Sequence, residues 1–212
     1  MSTTTVYTNR AKDLITGAFV NGTTAAAPSK VGWGTGAGTA AASDVAPIVE
    51  AAEARVAGTI TQQTTTTTND TLQVVGTITS SSTQTITETI VSSEATKPQS
   101  TTLSAAITST SATSCTVNSA SGFPGSGNFY AQVDSEVLLV TGGQGTTTWT
   151  ISRGQNGSAA ATHLISAVVT GGNAPGSTAV TNGDLFIHST SSPGLGLNSG
   201  DSLTATVKLA FS

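Results

Sequence analysis

Charge is scarce in this sequence of 212 residues. Aspartate, glutamate, lysine and arginine together make up 8% of it, against about 25% in ordinary globular domains. The seven basic residues are scattered and the net charge is −4, so no basic stripe is available to neutralise phosphates. We therefore expect no nucleic-acid partner. A weakly charged surface gives little self-repulsion, which favours a protein that packs against copies of itself or against a neighbour.

Cysteine and long apolar runs are also lacking. The single cysteine, Cys115, cannot form an intrachain disulfide, and its alternating context predicts a small apolar side chain buried in a strand. The N-terminus has no basic start followed by an apolar run. No window approaches the roughly 18 consecutive apolar residues of a membrane-spanning helix. We therefore expect that the protein is synthesised in the cytoplasm and has no membrane span.

Threonine, serine, glycine and alanine are abundant, with short β-branched clusters between them. Two runs, Val56–Thr61 (VAGTIT) and Val74–Thr79 (VVGTIT), nearly alternate apolar with polar residues. The Asn69-Asp70 turn signal stands just before the second run. The pattern predicts that the two runs are strands of one antiparallel pair. The five threonines between them either lengthen the hairpin or form an exposed loop.

Three further elements are predicted outside this pair. Apolar residues at helical spacing predict a helix over 8–20, capped by Thr8 or Asn9. A third strand is predicted over 83–91. The alternating run 202–211 predicts a strand with one buried face, which closes the sheet of the first half of the chain.

The rhythm of the sequence changes after residue 97. From there, strands of about five residues are separated by glycine-containing turns at intervals of about 8 to 12, which is typical of a small β-barrel or sandwich. We divide the chain into a first part of an outer β-domain (1–97), an inserted β-module (98–172) and closing strands of the outer domain (173–212). The predicted fold is all-β, a jelly-roll-like β-sandwich with one N-terminal helix and the inserted module.

Candidate chemical groups are few and dispersed. His163 and His188 are followed by no cysteine or carboxylate at ligand spacing, which predicts surface or loop histidines. Asp134 and Glu136 are read as two neighbours on one strand face, too few for a Ca²⁺ site, and are assigned to a solvated strand edge. Glu88 is assigned to the solvated face of the third strand.

The glycine-rich segment 31–38 is interpreted as tightly turning main chain around Trp33, because it lacks the spacing of a phosphate-binding loop. Phe129, Tyr130 and Trp149 are expected in the core of the inserted module, the alternative being a surface on which a sugar stacks. We predict no enzyme, no cofactor, and no catalytic, cofactor-binding or metal-binding residues.

Several motifs resemble those of tailed-bacteriophage virion proteins. They are VGWGTG at 31–36, AAEARVAGT at 51–59, TNDTLQVVGTIT at 68–79, TITE at 85–88, and the closing GDLFI and LNSGDSLTATVKLAF. In these relatives, text like TITE leads after a short turn into the LF-containing strand, whereas here the inserted module intervenes. The module, SGFPGSGNFYAQVDSEVLLV and the following TWTISRGQNG, resembles β-modules common in phage structural proteins.

The resemblance implies assembly as the activity. The first expectation is a capsid decoration or cement protein, which binds the major capsid protein or another virion protein as a homo-oligomer, a trimer being the expected form. The alternative is a tail-fibre, baseplate or adhesin component whose module contacts a host surface or glycan. In either case the expected location is the virion, assembled in the host cytoplasm.

Overall fold

The computed structural model describes residues 2–21, 27–173 and 185–210. Strands hold 48% of the residues and helices 7%, so the prediction of an all-β, sandwich-like fold with one helix is confirmed. The helix α1 is Asn9–Asn21. The strands are β1 Ser2–Tyr7, β2 Lys30–Gly34, β3 Val56–Ala57, β4 Thr59–Gln63, β5 Thr71–Thr79, β6 Gln84–Ser92, β7 Gln99–Thr102, β8 Ser114–Thr116, β9 Phe129–Val133, β10 Glu136–Gly142, β11 Thr148–Ser152, β12 Val168–Asn173, β13 Leu185–Leu197 and β14 Ser202–Ala210.

Helix α1 begins where a threonine satisfies its first turn. The Ala11 N–H donates to Thr8 Oγ1 over 3.1 Å, which is the N-cap arrangement that the sequence predicted for Thr8 or Asn9. Ala11 is buried, and Leu14 and Ile15 pack against the same core. Phe19 and Val20, in the last turn, are 84% and 80% exposed. The helix therefore lies on the outer domain by its first two turns.

A three-stranded antiparallel sheet contains the pair on which the sequence interpretation rested. Strand β5 lies in the middle, between β4 and β14. Thr59 of β4 faces Val75, so the first predicted strand pairs as expected only from residue 59 onward. Val56–Ala57 belongs elsewhere and pairs with β2. The predicted closing strand is β14, which pairs with β5 along its whole length; Phe211 lies outside the described residues.

The second sheet has five strands in the order β1-β13-β6-β2-β3. The predicted third strand is therefore real, as β6, but it belongs to this sheet and not to the one around β5. The glycine-rich segment was expected to turn tightly, yet its first part is the regular strand β2, paired with β6 from Lys30 to Gly34. Glycines here allow close approach of neighbouring elements, as described below.

The two sheets enclose one core. Val31 and Trp33 of β2 and Ile86 of β6 meet Val74 and Ile78 of β5 in a single buried cluster. Alternate residues of β14 pack against the same cluster from the edge; they are Leu203, Ala205, Val207 and Leu209. This arrangement is a β-sandwich, as in other folds where two antiparallel sheets bury their apolar faces against each other.

The third sheet has six strands in the order β7-β12-β9-β10-β11-β8, all of which lie between residues 99 and 173. Its core is separate from that of the other two sheets. Phe129 and Trp149 are fully buried, with ring centroids 5.3 Å apart and edge to face, and Cys115 is buried beside them. The predicted core positions of Phe129, Trp149 and Cys115 are confirmed, while Tyr130 is half-buried. The division into domains at residues 97/98 and 172/173 stays a prediction.

Candidate functional site

Glu88 of β6 is a buried carboxylate at the centre of a polar site that joins several segments of the chain. Its side chain is inaccessible to solvent. The N–H groups of Gly36, Ile48 and Val49 donate to its two oxygens over 2.8, 2.7 and 3.1 Å. These donors belong to the irregular segment that follows β2 and returns to it at the isolated bridge between Gly34 and Glu50, so one carboxylate helps to fix this segment. Charge-assisted bonds of this kind are stronger than neutral ones.

His188 of β13 lies between Glu88 and a second buried carboxylate. Its Nε2 is 3.0 Å from Glu88 Oε1 and its Nδ1 is 2.6 Å from Asp44 Oδ2. Burial opposes a charge on the ring, but the hydrogen bonds and negative charges of Asp44 and Glu88 outweigh it and raise the pKa of His188 to about 9. Both ring nitrogens therefore carry protons and donate, and neither keeps a lone pair to bind a metal or accept a proton.

The pKa of Glu88 is shifted the other way. Burial alone would raise it, but the hydrogen bond and charge of His188 and the N–H groups of Val49 and Ile48 lower it below its usual range. The carboxylate and the imidazolium therefore hold each other in their charged forms.

Two glycines make room for the carboxylate. A Cβ on Gly34 would lie 2.4 Å from Glu88 Oε2 and 2.5 Å from the backbone oxygen of Val49, and one on Gly36 would lie 2.6 Å from Glu88 Oε2. Contacts this short force neighbouring groups apart. Glycine is therefore required at these two positions because a larger residue would collide with Glu88.

We expect Gly34→Ala to destabilise the protein by about 1 to 3 kcal/mol, the usual cost of overpacking a filled core, because backbone and carboxylate must both move. Gly196→Ala in β13 is the matched control, since its Cβ would meet nothing within 4 Å. Urea denaturation of the two variants and the wild type measures the difference. Equal midpoints for Gly34→Ala and Gly196→Ala would contradict the crowding.

Gln132 of β9 connects this site to the six-stranded sheet. Its Oε1 accepts the N–H groups of Val45 and Ala46 over 2.8 and 3.2 Å, and its Nε2 donates to Asp44 Oδ1 over 3.3 Å. Gln132 is 2% exposed. We call Asp44, Glu88, Gln132 and His188 the junction network, because they join β6 and β13 of the sandwich to β9 of the inserted module.

A second network, buried except for Asp134, lies within the module. Arg153 donates from Nε and Nη2 to the two oxygens of Glu136, each over 2.7 Å. His163 Nε2 is 2.8 Å from Glu136 Oε2 and its Nδ1 is 2.8 Å from Asp134 Oδ2. Burial would raise the pKa of Glu136, but the bonds from Arg153, Ala161 N–H and His163 lower it to about 2. We call Asp134, Glu136, Arg153 and His163 the module network.

A third buried ion pair holds the chain where it leaves the sandwich for the module. Arg55 Nε and Nη2 donate to Glu50 over 2.6 and 2.8 Å. Its Nη1 donates to Ser92 Oγ and to the backbone oxygens of Glu94 and Thr96 over 3.1 to 3.4 Å. The segment after β6 is therefore fastened to the sandwich before β7 begins.

The placements predicted for Glu88, Glu136 and His188 are wrong, and His163 lies between strands as predicted but is buried. Glu88 and Glu136 are buried, not solvated, because each lies on the apolar face of its strand, in line with Ile86 and Ile90 or with Leu138 and Val140. His163 and His188 are 4% and 0% exposed, since carboxylates distant in the sequence pair with both nitrogens of each ring.

The pairing of Asp134 with Glu136 also differs from the prediction. Asp134 is not on a strand face: it has φ 51°, in the turn between β9 and β10, and its side chain is 55% exposed. It meets Glu136 only through His163, which bridges the two carboxylates. The expected solvated position holds for Asp134 and fails for Glu136.

The histidines of the two networks are paired with carboxylates. Within the described residues, no group of three or more histidine, cysteine, aspartate and glutamate side chains is arranged to hold a metal ion. Two of the three arginines, Arg55 and Arg153, are enclosed in ion pairs, so their charges are withdrawn from the surface.

Among residues 2–21, 27–173 and 185–210, no helix has the length and apolarity needed to cross a membrane.

Comparison with known proteins identifies no relative: no protein-family model, no curated protein and no solved structure matches the chain.

Proposed function

We propose that this protein is a structural component of a tailed-bacteriophage virion, and specifically a capsid decoration protein that binds and stabilises the assembled head shell. The motifs at 31–36, 51–59, 68–79 and 85–88, with the closing strand text, support the virion role through their resemblance to phage proteins. The observation that carries the decoration role is the distribution of charge.

Some of the few charges of this chain are buried, and others, such as Asp13 and Lys208, are exposed. Glu88, Glu136 and Arg55 are among the buried polar residues, while the outer faces of the sheets present hydroxyl groups. On β5 and β14, Thr77 pairs with Thr204 and Thr79 with Ser202, each over 2.7 Å. A surface of short, already paired hydroxyls loses little side-chain entropy on binding and repels a protein lattice little.

Binding to a lattice would add many modest contacts, so that occupancy would come from avidity as well as from pair affinity. The proposed partner is the major capsid protein or another virion protein, engaged by a homo-oligomer, with a trimer as the proposed form. We propose no catalytic activity and no cofactor. The tail-fibre or adhesin alternative loses two of its three stacking residues, because Phe129 and Trp149 are fully buried in the module core.

The test is the copy number on heads separated from tails. Quantitative mass spectrometry of purified tail-free heads should find this chain in a simple whole-number ratio to the sites of the shell lattice. The major capsid protein, counted in the same sample, is the internal standard. A handful of copies that follow the tail fraction would reject decoration and support the tail-associated alternative.

A further inference from the structure

The three-stranded sheet ends in a long edge strand whose outer side is unpaired in the described part of the chain. Strand β14 has nine residues, Ser202–Ala210, and pairs only with β5. An open edge presents a row of free N–H and C=O groups to any strand that can align with it. Natural proteins protect such edges with bulges, prolines or several charges. Strand β14 pairs without a bulge and contains no proline and one charge, Lys208.

The same strand carries an incompletely covered apolar row. Residues on the sheet face that points to the sandwich core are half-buried, and those on the opposite face are exposed. The half-buried residues are Leu203, Ala205, Val207 and Leu209. A strand added to this edge would satisfy the backbone groups and place its own side chains beside the apolar row.

Other described edges lack this combination. Strand β1 is exposed at Thr3, Thr4 and Thr5, so it has no apolar side there. Strands β3, β7 and β8 have two, four and three residues, and the five residues of β4 end in Gln62 and Gln63. Strand β14 is the longest open edge in residues 2–21, 27–173 and 185–210.

We propose that β14 pairs with β14 of a second copy of this chain, antiparallel about a two-fold axis at Thr206. Such a pairing is isologous, so the strand must be complementary to itself. It is: Leu203 faces the partner's Leu209, Ala205 faces the partner's Val207, and hydroxyl-bearing Thr206 faces its own copy. Apolar residues thus meet apolar residues on one face of a continuous six-stranded sheet, twice the three strands of one copy.

Charge does not oppose pairing with a second copy. In this register Lys208 lies opposite the partner's Thr204, so the two lysines do not meet, and like charges directly opposite would be destabilising. The hydroxyl pairs Thr77–Thr204 and Thr79–Ser202 fasten β14 to β5, which presents the edge as a pre-formed strand. Pre-organisation lowers the entropic cost of association.

The first measurement is the mass of the purified full chain by light scattering on a sizing column. At about 100 µM protein, even a micromolar dissociation constant leaves most chains paired. The expected mass is an even multiple of the 20.9 kDa chain: two chains, or six if the proposed trimer also forms in solution. A mass of one or three chains overturns the proposal. Purified protein alone is used, so this result is independent of binding to heads.

The second measurement locates the contact. Thr206→Cys should form disulfide-linked dimers under mild oxidation, because residues directly opposite in an antiparallel pair bring their Cβ atoms to about 5 Å. Thr77→Cys is the matched control: it is exposed on the same face but on the central strand β5. The buried Cys115 stays in both variants. Equal cross-linking of the two variants, or none in either, overturns the assignment to β14.

A third variant tests the axis without a covalent bond. Thr206→Lys places two ammonium groups opposite each other across the proposed two-fold axis and should weaken the dimer at least tenfold at low salt, with recovery as salt screens the repulsion. Position 206 is exposed, so the fold is retained, which circular dichroism checks. An unchanged dissociation constant overturns the register.

Discussion

A Glu88→Ala variant will lose about 3 to 5 kcal/mol of stability, the usual cost of removing one partner from a buried ion pair. The substitution removes the acceptor of three backbone N–H groups and one of the two carboxylates that flank His188. Each buried donor left without a partner keeps its full desolvation cost. Urea denaturation measures the loss.

Hydrogen exchange read by mass spectrometry assigns this loss to its place. Amides of Gly36, Ile48 and Val49 should lose protection first, while those of β9 and β10 in the module should keep theirs. The matched control is Asp13→Ala, which removes a helix-surface carboxylate paired with Arg10 and 64% exposed; exposed pairs contribute less than about 1 kcal/mol. Stability of Glu88→Ala within that range of wild type would contradict the central role of the carboxylate.

Stability will fall as pH rises from about 6.5 to about 9, because His188 is protonated in the folded protein and deprotonates in the unfolded chain. The pKa of His188 is raised from 6.5 to about 9 on folding. Its contribution is therefore fully present below pH 6.5, declines between the two values and is lost above the higher one. At about 1.4 kcal/mol per pKa unit, the full contribution is about 3 kcal/mol.

A series of urea denaturations across this pH range, on wild type and His188→Gln, measures the effect. The variant should be less stable than wild type below pH 6.5 and should show a much flatter dependence above it. Parallel curves for the two proteins would show that the imidazolium between Asp44 and Glu88 does not supply the pH dependence.

The all-β class and most strands could be predicted from the sequence because they depend on local alternation. Apolar and polar residues alternate in 202–211 and nearly so in VVGTIT of β5, and this alternation predicts one buried face for each strand. Which strands pair is not a local property: Val56–Ala57 and Thr59–Gln63 adjoin in the chain but belong to different sheets. A short apolar run next to Gly58 carries no information about such a change of sheet.

Part of the buried networks could be predicted from the sequence, namely the burial of two of their carboxylates. Glu88 lies two residues from Ile86 and two from Ile90, so strict period-two counting places it on their face, as it places Glu136 with Leu138. The partners could not be found this way. His188 is separated from Glu88 by 100 residues and from Asp44 by 144. The sequence around His188 in β13 does not distinguish a histidine that is buried between two carboxylates from an exposed one.

In chain order, β7 is the first strand of the six-stranded sheet and β12 is the last, and the two are direct neighbours. Gln99 pairs with Gly171 and Thr102 with Val168, so the chain enters and leaves this sheet at adjacent points. If residues 98–172 are an insertion, as the sequence predicts, adjoining ends would place little demand on the host, because closing the host chain across the gap would require only a short connection. On that prediction, the position between β6 and β13 would suit grafting of another domain in the laboratory.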